Sequence, residues 1–317
     1  MARRMLSSYR PKYSGKYNGR RPLRAPYRAP RRRSYAKKRP YRRRGGAASK
    51  KRILNMTSRK KKDTMLNYTN ITSSAQQGST TYAVQPAIIS GGQNQNTQTA
   101  FPIVWCATGR DLTQDSNNVP GYAWAASTRT ASTCYMRGLS EKIEIQVTDG
   151  LPWQWRRICF TYKGFNNAAP NTTGFSLVAE TSNGYVRQLN MLPNATYINT
   201  VEGLLFRGAK NVDWTDPMTA PLDPTRITVK YDKTHTIASG NEQGCIRKYN
   251  MWHGMNKNLV YADDEIAGGL TAQFYSTQSK SGMGDFFVVD YFQARKGSTS
   301  SQQLSFGTTA TLYWHEK

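Results

Sequence analysis

The chain has 317 residues, with 45 Lys or Arg against 19 Asp or Glu and a formal net charge of +26. The excess is confined to one end: Met1 to Lys62 carries 25 basic residues and no acid, so the remaining 45 − 25 = 20 basic residues face all 19 acids and leave 20 − 19 = +1 beyond Lys62. No apolar run follows the charged N-terminus, which argues against a secretory signal peptide, and the densest apolar patch, Phe286 to Phe292 (FFVVDYF), is interrupted by Asp290, which argues against a membrane-spanning helix.

Residues 1–62 read as a disordered arm, because a block of one sign repels itself and has little apolar surface to bury. Prolines at Pro11, Pro22, Pro26, Pro30 and Pro40 break any basic amphipathic helix that could lie on a membrane. Tyrosines recur between the basic residues. Arginine offers paired donors to phosphate, and tyrosine offers a flat face to an unpaired base. The candidate nucleic-acid contacts are therefore Arg20, Arg21, Arg24, Arg28, Arg31, Arg32, Arg33, Tyr35, Lys37, Lys38, Arg39, Tyr41, Arg42, Arg43, Arg44, Lys50, Lys51, Arg52, Arg59, Lys60, Lys61 and Lys62. Single-stranded nucleic acid is the favoured partner over an acidic protein; the plainer alternative is a solubilising or localising tail. Lys37, Lys38, Arg39, Arg42, Arg43 and Arg44 also have the composition of a nuclear-localisation signal, a weak motif that any nucleic-acid arm would contain.

Beyond Asp63 the pattern becomes one of strands and turns, expected as a single β domain over 63–317. Thr64–Thr72 could form a first strand, and 73–133, rich in Gln, Asn, Ser, Thr and Gly, reads as a very long surface loop. Alternation of period two begins at Lys142, with Ile143, Ile145 and Val147 on one face. Further strands are predicted over Trp155–Lys163, Val201–Arg207, Arg226–His235, Gly244–Trp252, Leu270–Thr277, Asp285–Gln293 and Gln303–His315, separated by turn signals such as Asn183-Gly184 and Gly268-Gly269. With about eight strands and no helical layer, the pattern points to a sandwich or jelly roll.

Chemistry-bearing constellations are sparse. Cys106, Cys134, Cys159 and Cys245 are far apart and read as free thiols, and His235, His253 and His315 are too scattered for a metal cluster. Neither a cofactor nor a metal is expected. Asp263, Asp264 and Glu265 could hold magnesium, but consecutive residues in a strand point to opposite faces, so a solvated loop or subunit contact is preferred to a nuclease. No nucleophile elbow, zinc-binding helix motif or P-loop occurs, and an enzyme is not expected. Trp153, Trp155, Trp214, Trp252 and Trp314 are expected in core or interface. Arg156, Arg157, Lys230, Lys233, Arg247 and Lys248 are candidates for an anion-facing surface, with solvated strand faces and local acid partners as the alternative.

Four strings resemble the capsid proteins of genomoviruses, the gemycircularvirus-like relatives of geminiviruses: Trp153–Phe160 (WQWRRICF), Ile227–Lys233 (ITVKYDK), Trp252–Tyr261 (WHGMNKNLVY) and Gly282–Asp290 (GMGDFFVVD). They are spread over most of the chain after residue 134, whereas the arm resembles the family in composition only and 73–133 does not take part. The resemblance implies an eight-stranded antiparallel jelly roll of viral capsid type, about sixty copies in a closed T=1 icosahedral shell, and a circular single-stranded DNA genome. It also implies residence in the virion, assembly in the host nucleus and recognition by nuclear import receptors, without membrane insertion. Sixty arms of +25 would neutralise on the order of 1,500 phosphates, the scale of a small genome. The alternative is a cellular nucleic-acid-binding protein with a basic tail on a β domain.

Overall fold

The computed structural model describes residues 49–76, 78–92, 100–114, 119–165, 176–191, 195–271 and 273–317. Eight principal strands carry the fold: β1 (Arg59–Met65), β2 (Phe101–Cys106), β3 (Thr133–Val147), β4 (Trp153–Tyr162), β5 (Thr228–Ile237), β6 (Cys245–Val260), β7 (Asp285–Ala294) and β8 (Gln303–Glu316). The first pairs with the eighth, the second with the seventh, the third with the sixth and the fourth with the fifth, all antiparallel. This is the pairing of one long hairpin. Rolling it brings β8 against β3 and β7 against β4, which closes two four-strand sheets in the orders β1-β8-β3-β6 and β5-β4-β7-β2. That connectivity is the jelly roll expected from the sequence.

The inner faces meet around Trp155, whose ring contacts Tyr249 of β6 and Phe306 of β8 in the opposite sheet and Phe292 of β7 in its own. The outer faces differ. β8 and most of β3 alternate between buried and more exposed residues, as one-sided strands do. β7 is buried at nearly every position, because 195–227 cover the outer face of its sheet. Helix α2 (Ala195–Leu205, following α1, Lys50–Thr57) supplies Ile198, Val201 and Leu205 to that cover, and Phe206 packs on Tyr291. The strand expected at Val201–Arg207 is thus mostly helix: its apolar residues recur at three- and four-residue spacing, a period hidden when the reading starts at Val201. A strand predicted over Leu270–Thr277 shrinks to Gly269–Thr271, paired with Asp264–Ile266 in a small hairpin.

Two domain boundaries also change. The arm does not extend to residue 62: Ser49 caps α1 by accepting from the Arg52 backbone N–H at 3.3 Å, and Arg59–Lys62 are the first residues of β1. Nor is 73–133 a surface loop, since it contains the fully buried β2 and the strand Ala87–Ser90, which pairs with β8. Its polar composition conceals a short buried strand, FPIVWC, that shows no alternation because both of its faces are covered.

Candidate nucleic-acid interface

Arg20 through Arg44 of the predicted contacts, with the nuclear-localisation candidate Lys37–Arg44, lie outside the described residues, as do the side chains of Lys50 and Lys51. The rest divide by strand geometry. Arg52 is exposed on α1, and Arg59, Lys60 and Lys62 are exposed on β1. Lys61 is not. The period of two turns Lys61, Asp63 and Met65 inward, and Lys61 Nζ pairs with Glu316 at 3.2 Å while donating to the Thr128 carbonyl at 2.6 Å and the Thr130 hydroxyl at 3.2 Å. Glu316 also accepts from the Thr130 backbone N–H and hydroxyl and from Trp314 Nε1. Lys61 is therefore a structural cation, and its assignment as a nucleic-acid contact is corrected.

The outer face of the β1-β8-β3-β6 sheet continues the positive character. Across the strands, Lys60 stands beside His315 and Tyr135, and Lys62 beside Tyr313 and Gly138. The next rows place Thr64, Thr311, Ser140 and Trp252 together, then Thr309, Lys142 and Asn250, then Gly307, Glu144 and Lys248. Arg137 projects from the same face and donates to Asn256. Five basic residues (Lys60, Lys62, Arg137, Lys142, Lys248) thus face one acid, Glu144. The His315 imidazole registers that field: partial burial, together with Arg137 and Lys60, pushes its pKa down.

Of the other basic residues singled out in the strands, Lys230, Lys233 and Arg247 are exposed, whereas Arg156 and Arg157 are committed to partners within the protein. Arg157 is buried between the sheets and bonds both oxygens of Asp290, at 2.7 and 2.9 Å, and Glu141 at 2.7 Å. Arg187 reaches the same two carboxylates, each at 3.1 Å, and its guanidinium lies 4.4 Å from the Trp105 ring centre. The segment Arg187–Leu189 that delivers it pairs in parallel with Asn67–Thr69. Two guanidiniums and two carboxylates make a neutral, hydrogen-bonded quartet that joins β3 of one sheet to β4 and β7 of the other. Burial alone would raise the Glu141 and Asp290 pKa values; the two arginines more than offset it and hold both carboxylates below their usual range. Arg156 faces outward from β4 and is committed to Asp232 and to the Pro217 and Ala220 carbonyls. Of the five tryptophans expected in core or interface, Trp153, Trp155, Trp214 and Trp314 are buried, and Trp252 is 55% exposed on the basic face. Composition could not sort these residues, because a strand's inward and outward positions are chemically alike until the partner strand is known.

The acidic trio does not converge. Asp263 is held by Arg129 at 2.5 and 3.0 Å, whereas Asp264 and Glu265 are exposed on the small hairpin. Among the described residues no group of three or more His, Cys, Asp or Glu side chains could hold a metal ion, the cysteines are unpaired, and no helix is long and apolar enough to cross a membrane.

No protein-family model matches the chain, and no curated protein matches it. A solved structure, the VP1 pentamer of human polyomavirus 6, is similar at 10% identity over 82% of this chain and 95% of that one, with a TM-score of 0.20. So slight a likeness carries no argument; the jelly-roll assignment rests on strand order and pairing.

Proposed function

We propose that the protein is a structural capsid subunit that assembles into a small closed shell and packages single-stranded DNA, without catalysing a reaction. The observation that carries this reading is the covalent union of a +25 block with a near-neutral jelly roll whose first strand begins inside that block. The β domains would tile a shell of about sixty copies in T=1 icosahedral symmetry, and the arms would condense a circular genome through salt-sensitive, sequence-tolerant contacts. Tyrosine stacking would add to phosphate pairing. Before assembly the arm's Lys37–Arg44 string would be available to nuclear import receptors. The resemblance to genomovirus capsid proteins points the same way.

The test is to express the full chain and a form beginning at Ser49, and to examine both for uniform closed particles and nuclease-protected nucleic acid. The eight principal strands and their shared core lie within 49–317, so the cut leaves the jelly roll whole. The full chain is expected to give particles holding protected single-stranded DNA. The shortened form is expected to remain folded and to lose the protected nucleic acid. Undiminished protection by the shortened form, or a full chain that forms no particles, would overturn the reading.

A further inference from the structure

We propose that the solvated face of the β1-β8-β3-β6 sheet is a second binding surface for single-stranded nucleic acid, with Trp252 and Tyr313 as a base-stacking platform and Lys142 and Lys248 as phosphate contacts. The proposal deepens the packaging role set out above and rests on it.

Trp252 is the first reason. An indole is among the largest apolar groups a chain can bury, yet this one is 55% exposed on a regular strand, while Trp153, Trp155 and Trp314 on other strands are at most 1% exposed. It is held rather than loose. Its ring centre lies 5.8 Å from that of Tyr313, and its benzo edge crosses Gly138, where a Cβ would stand 2.7 Å from Cζ2. Glycine at that point lets the indole settle against the strand beside Tyr313. A pre-positioned aromatic pair of this kind loses little conformational freedom when a base stacks on it.

The second reason is charge and relief beside that pair. Gly307 carries no side chain, and a shallow depression opens there, bordered by Lys142, Lys248, Thr309 and Asn67. Lys142 makes no ion pair among the described residues, and the Lys248–Glu144 pair at 3.1 Å is exposed on both sides, so a phosphate can displace the acid at little cost. Five basic residues against one acid make the occupant an anion. Two copies meeting through this face would set like charge against like, which disfavours a subunit contact. A duplex hides its base faces, whereas a single strand offers them, so a stacking platform selects unpaired bases.

The experiment uses the full chain, oligothymidylate and a duplex of the same length, and titrates binding at several salt concentrations. Trp252→Ala is expected to weaken oligothymidylate binding at least about fivefold at high salt, where phosphate pairing is screened and stacking is not. The slope of log K against log salt should stay unchanged for that variant, and Trp252→Phe should recover most of the loss. Lys142→Gln with Lys248→Gln should instead flatten the slope by about one to two. Ultraviolet cross-linking of the wild type should label the peptides that contain Trp252 or Tyr313. Labels confined to residues 1–48, with wild-type binding by Trp252→Ala, would overturn the proposal while leaving packaging by the arm intact. Lost assembly with unchanged oligothymidylate binding would make the face a contact between copies and would equally overturn it. No binding of oligothymidylate by the wild-type chain would remove the packaging role itself, and this surface with it.

Discussion

The two sheets of one jelly roll meet the same core and treat their outer faces in opposite ways. The outer face of the β5-β4-β7-β2 sheet is covered by 195–227, so β7 is apolar almost throughout. The charged residues of the two central strands, Arg156, Arg157, Asp285 and Asp290, are all committed to partners, while Lys230 and Lys233 on the edge strand β5 stay exposed. The β1-β8-β3-β6 sheet leaves Lys60, Lys62, Lys142 and Trp252 in water. The difference teaches that a basic residue's role here is set by which face of which sheet it occupies. Arg157 and Lys248 are similar in sequence context, each on a strand beside another basic residue, yet one joins the two sheets and the other faces solvent.

The largest expected effect comes from cutting the quartet. Arg157→Met leaves Glu141 and Asp290 with Arg187 alone, and a buried carboxylate without its full complement of donors costs about 3–5 kcal/mol. Urea unfolding should show the loss directly. A loss below about 1 kcal/mol would mean that the interior is hydrated enough to solvate the freed acids, and the contrast between the sheets would weaken. Phe206→Ala is expected to cost somewhat less. It removes the ring that packs on Tyr291, Trp214 and Arg156 in the cover of the buried sheet, and phenylalanine truncations at buried sites cost about 3–5 kcal/mol, with the lower end where the surroundings can close in. Thr309→Ala, on the solvated face, should stay within about 0.5 kcal/mol. Equal losses at the two sites would erase the distinction.

Much of this was legible in the sequence, and what was missed has a physical pattern. The alternation of Ile143, Ile145 and Val147 gave β3's faces correctly because that strand is one-sided. The continuous apolar run of β7 marked a strand but could not say what covered its second face, since the cover comes from a distant connection. β2 vanished into a polar region for the same reason: a short strand buried on both sides has no period to read. Lys61 was misassigned because its partner Glu316 lies 255 positions away along the chain, and nothing local marks an inward lysine within a basic block. The charge split, by contrast, was fully visible, because composition is a sum and needs no partner.

With changing pH, the two kinds of buried carboxylate pull in opposite directions. Glu141 and Asp290 are held low by their arginines, so the stability they contribute is present above the ordinary carboxylate pKa and is lost as pH falls through their lowered values. Asp285, at the start of β7, behaves the other way. Burial pushes its pKa up from 3.8 to about 6, although it accepts from the Ser276 backbone N–H and hydroxyl and from the Thr108 hydroxyl. Its folded form holds a proton that the unfolded chain has released, so its contribution is complete below pH 3.8 and fades as pH rises through about 6. Asp285→Asn cannot ionise. Unfolding free energies measured across that interval should therefore decline less with rising pH in the variant than in the wild type, by about 3 kcal/mol at most, while the acid limb set by the quartet stays in place. An unchanged decline in the variant would assign it to other groups, and a shifted acid limb would show that Asp285 and the quartet do not act independently.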